Sequence, residues 1–216
     1  MKEFVVIGLG NFGATVAREL TRLKCRVTAV DTDKNRVQNI QDEIHQAICG
    51  DAADRDLLTN LGVKNFDCII VSTGEDSHTS ILITLFLKEL EAKSIIVKAR
   101  TTDHARILKK VGATMTVIPE QEMAIRLAYA QSESDLIDYL PLTGDYCVVE
   151  MGPPRDFVGK TLAELALRNK FRVQLVAVKE DATGDYNFMP GGSFIIKEKD
   201  VLVLLGKRQD IDTLKK

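Results

Sequence analysis

The 216-residue sequence is poor in the groups on which common chemistries depend. Its three histidines, His45, His78 and His104, are scattered, and no H-E-x-x-H pair, Cys/His cluster or serine nucleophile elbow accompanies them. The four cysteines, Cys25, Cys49, Cys68 and Cys147, lie far apart with no C-x-x-C pair. That spacing argues against a metal or redox role and for reduced, mostly buried thiols. A formal net charge of -2 with 28% charged residues leaves no basic excess to neutralise a nucleic-acid backbone, so no nucleic-acid partner is expected. No apolar run reaches the length of a membrane span or a signal-peptide core, and Met1-Lys2-Glu3 leads straight into a strand-like run. The expectation is a cytoplasmic protein with no direct membrane insertion. Low-complexity segments and internal repeats are also missing.

What the chain does have is concentrated at its start. The apolar run Phe4-Val5-Val6-Ile7 leads into Gly8-Leu9-Gly10-Asn11-Phe12-Gly13, then a helix-like stretch, then Val27-Thr28-Ala29-Val30 ending at Asp31. A lone G-x-G-x-x-G says little. Here it follows a strand, opens a helix and precedes an acidic residue by about 20 positions, which is the context a dinucleotide-type loop requires. Gly8 suits the tight turn, Gly10 lets main chain approach a phosphate, and Gly13 lets the helix pack on the sheet. The helix N-terminus then presents N–H groups and a positive dipole end to the anion. Asp31, read as a rim carboxylate with no part in core packing, is suited to the ribose hydroxyls and repels a 2'-phosphate, favouring NAD(H) or an adenosine nucleotide over NADP. No G-K-[ST] follows the glycines, so a Walker-type loop is excluded.

Farther along, β-branched runs at 4–7, 26–30, 46–49, 68–72, 95–99 and 115–118 alternate with helical patterns at 12–23, 34–43, 53–61, 77–90 and 103–111. The alternation implies an α/β, doubly wound parallel sheet with the C-terminal ends of its strands on one rim. Gly8, Asp31, Asp51, Thr73 and Gly74 each stand just past a strand, where such a sheet binds its ligand. Gly50, Asp51 and Ala52 are candidates for the adenine edge, Ser72, Thr73 and Gly74 for the phosphates; each also fits a helix cap or turn. A helical stretch at 120–131 follows Pro119 and either packs on its own sheet or crosses to another subunit. Residues 1–131 thus form a first domain, 132–144 a linker marked by a polar cluster and Pro141, and 145–216 a smaller α+β domain. The smaller domain is expected to hold strands at 146–151, 173–179, 194–197 and 201–205 and a helix at 162–169. Catalytic groups are thin: only His78 stands plausibly near the rim, so binding without turnover is the simpler account, with a small NAD-dependent oxidoreductase as the alternative.

Together these segments resemble the RCK (KTN) family. The resemblance rests on Val5 to Gly13 with Glu19-Leu20, Val30-Asp31, Gly50-Asp51-Ala52, the run from Leu85 to Leu90, Val97-Lys98-Ala99-Arg100, Gly112-Ala113 and Ile118-Pro119-Glu120. In the tail it rests on Gly159-Lys160-Thr161-Leu162 and Asp200-Val201-Leu202-Val203, which resemble the smaller RCK C-terminal (TrkA-C) domain. It implies a Rossmann-like nucleotide-binding domain followed by that smaller domain. It also implies a cytosolic regulatory subunit of a Trk/Ktr-type potassium transporter that assembles as dimers and an octameric ring beneath a membrane-embedded partner. On this resemblance Gly8, Gly10, Asn11, Phe12 and Gly13 form the phosphate loop, Asp31 takes the ribose, Asp51 and Ala52 the adenine side, and Lys98 stands near the nucleotide. Glu120 matches a glutamate that helps hold a cation at a dimer interface in some members. Asn11 stands where ATP-sensing members place an arginine, which shifts the expected ligand from ATP towards NAD(H), ADP or AMP. Some relatives bind cyclic di-AMP in the second domain, in the region of Arg168, Asn169 and Phe171. A nucleotide-sensing adaptor of another transporter shares these features and differs only in its partner.

Overall fold

The computed structural model describes residues 1–73, 76–132, 136–142 and 144–215. It divides into two compact units, Met1–Pro119 and Glu120–Lys216.

In the first unit β1 (Glu3–Ile7), α1 (Asn11–Arg22), β2 (Arg26–Asp31), α2 (Lys34–Ile40), β3 (Gln46–Cys49), α3 (Arg55–Leu61), β4 (Cys68–Val71), α4 (Ser77–Glu89), β5 (Ile95–Lys98), α5 (Thr102–Val111) and β6 (Met115–Val117) alternate along the chain. The strands form one parallel sheet in the order β3-β2-β1-β4-β5-β6, the doubly wound arrangement expected from the alternation. Strand β1 is central, and its residues point alternately into two cores. Val5 and Ile7 join Leu58, Ile69, Val71, Ile83 and Leu108 on one side; Val6 joins Ala17, Val27, Ala29 and Ile40 on the other. Burial on both faces is why these strands read as continuous apolar runs. The strand order reverses between β1 and β4, so the loops after those strands diverge and leave a crevice at the rim.

The second unit holds α6 (Pro119–Ser132, all but its first residue), β7 (Leu136–Pro141), β8 (Tyr146–Met151), α7 (Leu162–Leu165), α8 (Leu167–Phe171), β9 (Gln174–Lys179), β10 (Tyr186–Phe188), β11 (Val201–Lys207) and α9 (Arg208–Asp212). Its sheet is antiparallel, in the order β10-β9-β11-β8-β7. Strands β8 and β11 bury alternate residues, among them Cys147, Val149, Met151, Leu202 and Leu204, against Phe157, Ile196 and Ile211. One face of this sheet therefore carries the core.

Three expectations are corrected here. The stretch 132–144 is not simply a linker, because β7 lies within it and pairs antiparallel with β8. Pro141 is tolerated because β7 is an edge strand and Pro141 is its last residue. The helix expected at 162–169 is two short helices, broken at Ala166, whose left-handed backbone (φ 43°) no glycine announced. The strand expected at 194–197 reduces to a single bridge between Thr161 and Ile195, and β10 takes an edge that was not foreseen.

Candidate functional site

The loop after β1 is held by its first and last glycines. Gly8 adopts φ +91°, and its N–H donates to the Val30 carbonyl at 2.8 Å. A Cβ on Gly8 would press into the Ser72 carbonyl, and one on Gly13 would overlap the Gly8 carbonyl oxygen. Gly10 differs. Its φ of -65° suits any residue, and a Cβ there would meet nothing within 4 Å. Neither strain nor crowding calls for glycine at that position; it keeps open space in front of α1.

That opening continues into the helix. Gly10 is the N-cap of α1 and makes no side-chain cap, and no acidic residue stands in the first turn. The other α-helix starts of this unit are closed by the chain itself. Asp33 accepts the Asn35 N–H at 2.8 Å, Asp54 the Asp56 N–H at 2.9 Å, Asp76 the His78 N–H at 2.9 Å and Thr101 the His104 N–H at 3.1 Å. The Thr79 hydroxyl, then the His78 N–H, hold the Asp76 carboxyl below its ordinary range. The α1 terminus, with first-turn N–H donors and a positive dipole end, is the one arranged to receive an anion.

A cleft of about 180 Å³ lies at the strand-order reversal, lined by Gly8, Gly10, Asp31, Thr32, Arg36, Gly50, Asp51, Ala52, Ser72, Thr73 and Thr79, with Ile7, Val30 and Ile83 as apolar lining. It brings together eight residues singled out from the sequence: Gly8, Gly10, Asp31, Gly50, Asp51, Ala52, Ser72 and Thr73. Asn11, Phe12, Gly13 and Lys98 do not line it. Gly13 supports the loop from behind, Asn11 is exposed, and Lys98 lies over the Phe12 ring at 5.8 Å from its centroid. Gly74 lies outside the described residues.

Asp31 is more deeply built in than a rim carboxylate. Only 8% of it is exposed. Its Oδ2 accepts the Leu9 N–H at 2.5 Å and its Oδ1 the Asp33 N–H at 2.8 Å, while Arg36 Nη1 stands 3.7 Å from Oδ2. One carboxylate thus ties the β1–α1 loop to the end of β2, so its removal affects the fold as well as any ligand. Each oxygen retains acceptor capacity for a further donor. Asp51 Oδ1 accepts the Ala53 N–H at 2.8 Å, so Asp51 is both a turn former and part of the lining. Thr73 Oγ1 is buried without a hydrogen-bond partner among the described residues. A buried, unsatisfied hydroxyl at the edge of a cleft is explained by a ligand or water that completes it.

Arg36, Thr79 and Thr32 were missed from sequence. Thr79 enters only because β4 and the start of α4 lie beside β1, which no local pattern reveals. Arg36 had a usable signal, a cation in the first turn of the helix that follows the acidic strand end. His78 caps nothing with its ring and stays exposed at the start of α4. Glu120, in the first turn of α6, belongs to the second unit. Among the described residues no three His, Cys, Asp or Glu side chains are grouped to hold a metal ion. In the second unit Arg168 and Asn169 line a separate cleft with Gln174 and Pro190. Phe171 packs instead on the core beside Phe157, 5.9 Å between ring centroids.

Comparison with known proteins agrees with this architecture. Residues 4–119 match the TrkA-N domain and residues 148–216 the TrkA-C domain. The Ktr system potassium uptake protein C of Bacillus subtilis is 37% identical over 215 residues, spanning 100% of this chain and 96% of that protein. The crystal structure of the GsuK RCK domain superposes with a TM-score of 0.70 at 19% identity, over 99% of this chain and 47% of that one, so this chain spans about half its length. The GsuK channel bound to NAD superposes with a TM-score of 0.51 at 24% identity, over 99% of this chain and 38% of that one. At these identities the two structures show the fold.

Proposed function

Since this chain belongs to the family built from a TrkA-N and a TrkA-C domain, we propose that it is a nucleotide-binding regulatory subunit of a Trk/Ktr-type potassium transporter. In this reading it does no chemistry on its ligand. The single observation that carries the nucleotide part is the uncapped N-terminus of α1, facing a cleft that also contains the Asp31 carboxylate and the unsatisfied Thr73 hydroxyl. The N–H groups of the first turn of α1 would take a phosphate, Asp31 the ribose hydroxyls, and Asp51 with Ala52 the adenine. Lys98, parked on Phe12, would add a cation on the phosphate side. Asn11 is neutral, which favours NAD(H), ADP or AMP over ATP. Among solved relatives in fold, the GsuK channel has been seen with NAD.

Such a subunit works by differential affinity. The cleft must hold the nucleotide more tightly in one arrangement of the assembly than in another, since a ligand bound equally in both shifts nothing. A homo-oligomer, a dimer or an octameric ring on the cytoplasmic side of a membrane-embedded potassium-transporting subunit, is the assembly we infer. It is supported by apolar side chains left exposed on the second unit, Met123, Ile125 and Leu127 of α6 and Ile137 and Leu140 of β7. Glu120 is the residue we would assign to a cation shared between two copies. The cleft with Arg168 and Asn169 is the place for a second ligand such as cyclic di-AMP.

The test is calorimetric titration of the purified protein with ATP, ADP, AMP, NAD+ and NADH, with light scattering on each complex. Tight binding with a ligand-dependent assembly is the expected result; no binding by any of the five would overturn the nucleotide reading.

A further inference from the structure

Arg36 stands out among the cleft residues because its surroundings do not explain it as a stabilising group. Its guanidinium lies 3.7 Å from Asp31 Oδ2 and 3.5 Å from Asp33 Oδ2, and the side chain is still 53% exposed. Ion pairs of that exposure add little to stability and hold a long side chain at an entropic cost. What the two carboxylates achieve is placement: they bias a planar cation towards the mouth of the cleft.

The neighbours define what it would meet. With a phosphate at the start of α1 and the ribose on Asp31, the base of a nucleotide continues past Asp31 towards the loop after β3. There the cleft lining includes the apolar Val30 and Ala52, with Thr32, Asp51 and Arg36. A guanidinium tethered beside the ribose ligand has the shape and charge to stack on a purine, and its two anchors remove most of the ordering cost before the ligand arrives. Resting on the nucleotide reading above, we infer that Arg36 is the specificity-determining residue for the base: it stacks on adenine and gives the site its preference for a large planar base.

A second role for the same contacts is charge balance at Asp31, and substitutions separate the two. Arg36→Lys keeps the charge and loses the plane; Arg36→Tyr keeps a plane and loses the charge; Arg36→Ala loses both. Arg36 lies outside the core clusters, and thermal unfolding checks that each variant folds. Calorimetry with AMP, ADP, NAD+ and UMP is the readout. For Arg36→Ala we expect about tenfold weaker binding of AMP, ADP and NAD+ alike, with the preference for AMP over UMP reduced. Arg36→Lys should behave like Arg36→Ala, and Arg36→Tyr should stay within about threefold of the parent protein. Retention by Lys and loss by Tyr would replace stacking with charge balance and overturn the inference. Unchanged affinity in Arg36→Ala would do the same while leaving nucleotide binding intact, whereas a parent protein that binds none of the four would remove both.

Discussion

The start of α1 and the starts of α2, α3, α4 and α5 face the same physical problem in different ways. Each helix begins with N–H groups that the helix cannot satisfy. At four of them the chain answers with its own side chain, Asp33, Asp54, Asp76 or Thr101. At α1 it places Gly10, which offers none, in an extended backbone conformation that an aspartate or threonine would also adopt. A cap was available at no steric cost and is absent. The difference separates four helix starts closed by their own side chains from one left open, the one the proposed nucleotide site uses.

The largest effect should come from exchanging the two kinds of glycine. Gly13→Ala drives a Cβ into the Gly8 carbonyl oxygen, backbone that cannot retreat without moving the loop. We expect a loss of about 3 kcal/mol or more in urea unfolding. Gly10→Asp should instead fold within about 0.5 kcal/mol of the parent, since it supplies the missing cap. The same carboxylate occupies the anion's place, and nucleotide affinity should fall by about 100-fold or more. If Gly10→Asp binds nucleotide as well as the parent, the open terminus is not the phosphate site and the contrast loses its meaning.

Asp31 tests the boundary between the two kinds of group. Its carboxylate accepts two backbone N–H groups and also lines the cleft. Asp31→Ala should therefore weaken nucleotide binding and cost about 2 kcal/mol of stability, because the Leu9 and Asp33 N–H groups are left without their acceptor. A variant of unchanged stability would show that the loop relaxes to satisfy them elsewhere.

Asp54→Ala is the matching control among the self-capped helices. It removes the cap of α3, and Asp54 does not line the nucleotide cleft. A loss of about 1 kcal/mol with no change in nucleotide affinity is expected. Weakened binding would mean that the cap of α3 reaches the cleft through the loop carrying Asp51 and Ala52.

How much of this was legible beforehand follows the range of the interactions. The β1–α1–β2 segment carries its signal in consecutive residues: the glycines answer to local sterics, and Asp31 ends an apolar run. The parallel sheet was legible for the same reason, since its strands are buried on both faces and read as unbroken apolar runs. Thr79 was not, because it joins the cleft through the adjacency of β1 and β4, a consequence of strand order. Within the glycine motif the packing role of Gly13 was legible, but not that a Cβ there would meet the Gly8 carbonyl or that Gly10 is an uncapped helix start, since both need the loop's geometry. In the second unit β7 was hidden by a polar stretch and a terminal proline, both compatible with an edge strand, and the break at Ala166 falls on a residue with no turn preference.

The smallest expected effect concerns the corner where α4 and α5 meet, which is closed without any guest. His104 is buried; its Nδ1 accepts the Arg100 N–H at 3.3 Å and its Nε2 lies 3.0 Å from Ser80 Oγ. With Nδ1 an acceptor, the ring proton sits on Nε2 and is donated to Ser80, whose hydroxyl donates to the Ser77 carbonyl at 2.9 Å. The arrangement needs a neutral ring, since a proton on Nδ1 would face the Arg100 N–H. Burial, then the charge of Arg100, lowers the pKa below the ordinary 6.5. The folded value is therefore the lower one, and the unfolded chain binds more protons as the pH falls below 6.5. Stability from this group is present above that pH and is lost as the pH falls through the folded value. Urea unfolding at about pH 7.5 and about pH 5.5 should show a decline in the parent that is shallower in His104→Gln, with a difference of about 1 kcal/mol or less. Glu43 and Asp138, whose carboxyls are held below their ordinary range by Arg18 and Arg126, titrate at more acid pH and affect both proteins alike. Equal slopes would mean that the ring takes up a proton where it stands, so that burial and Arg100 do not hold it neutral in the folded chain.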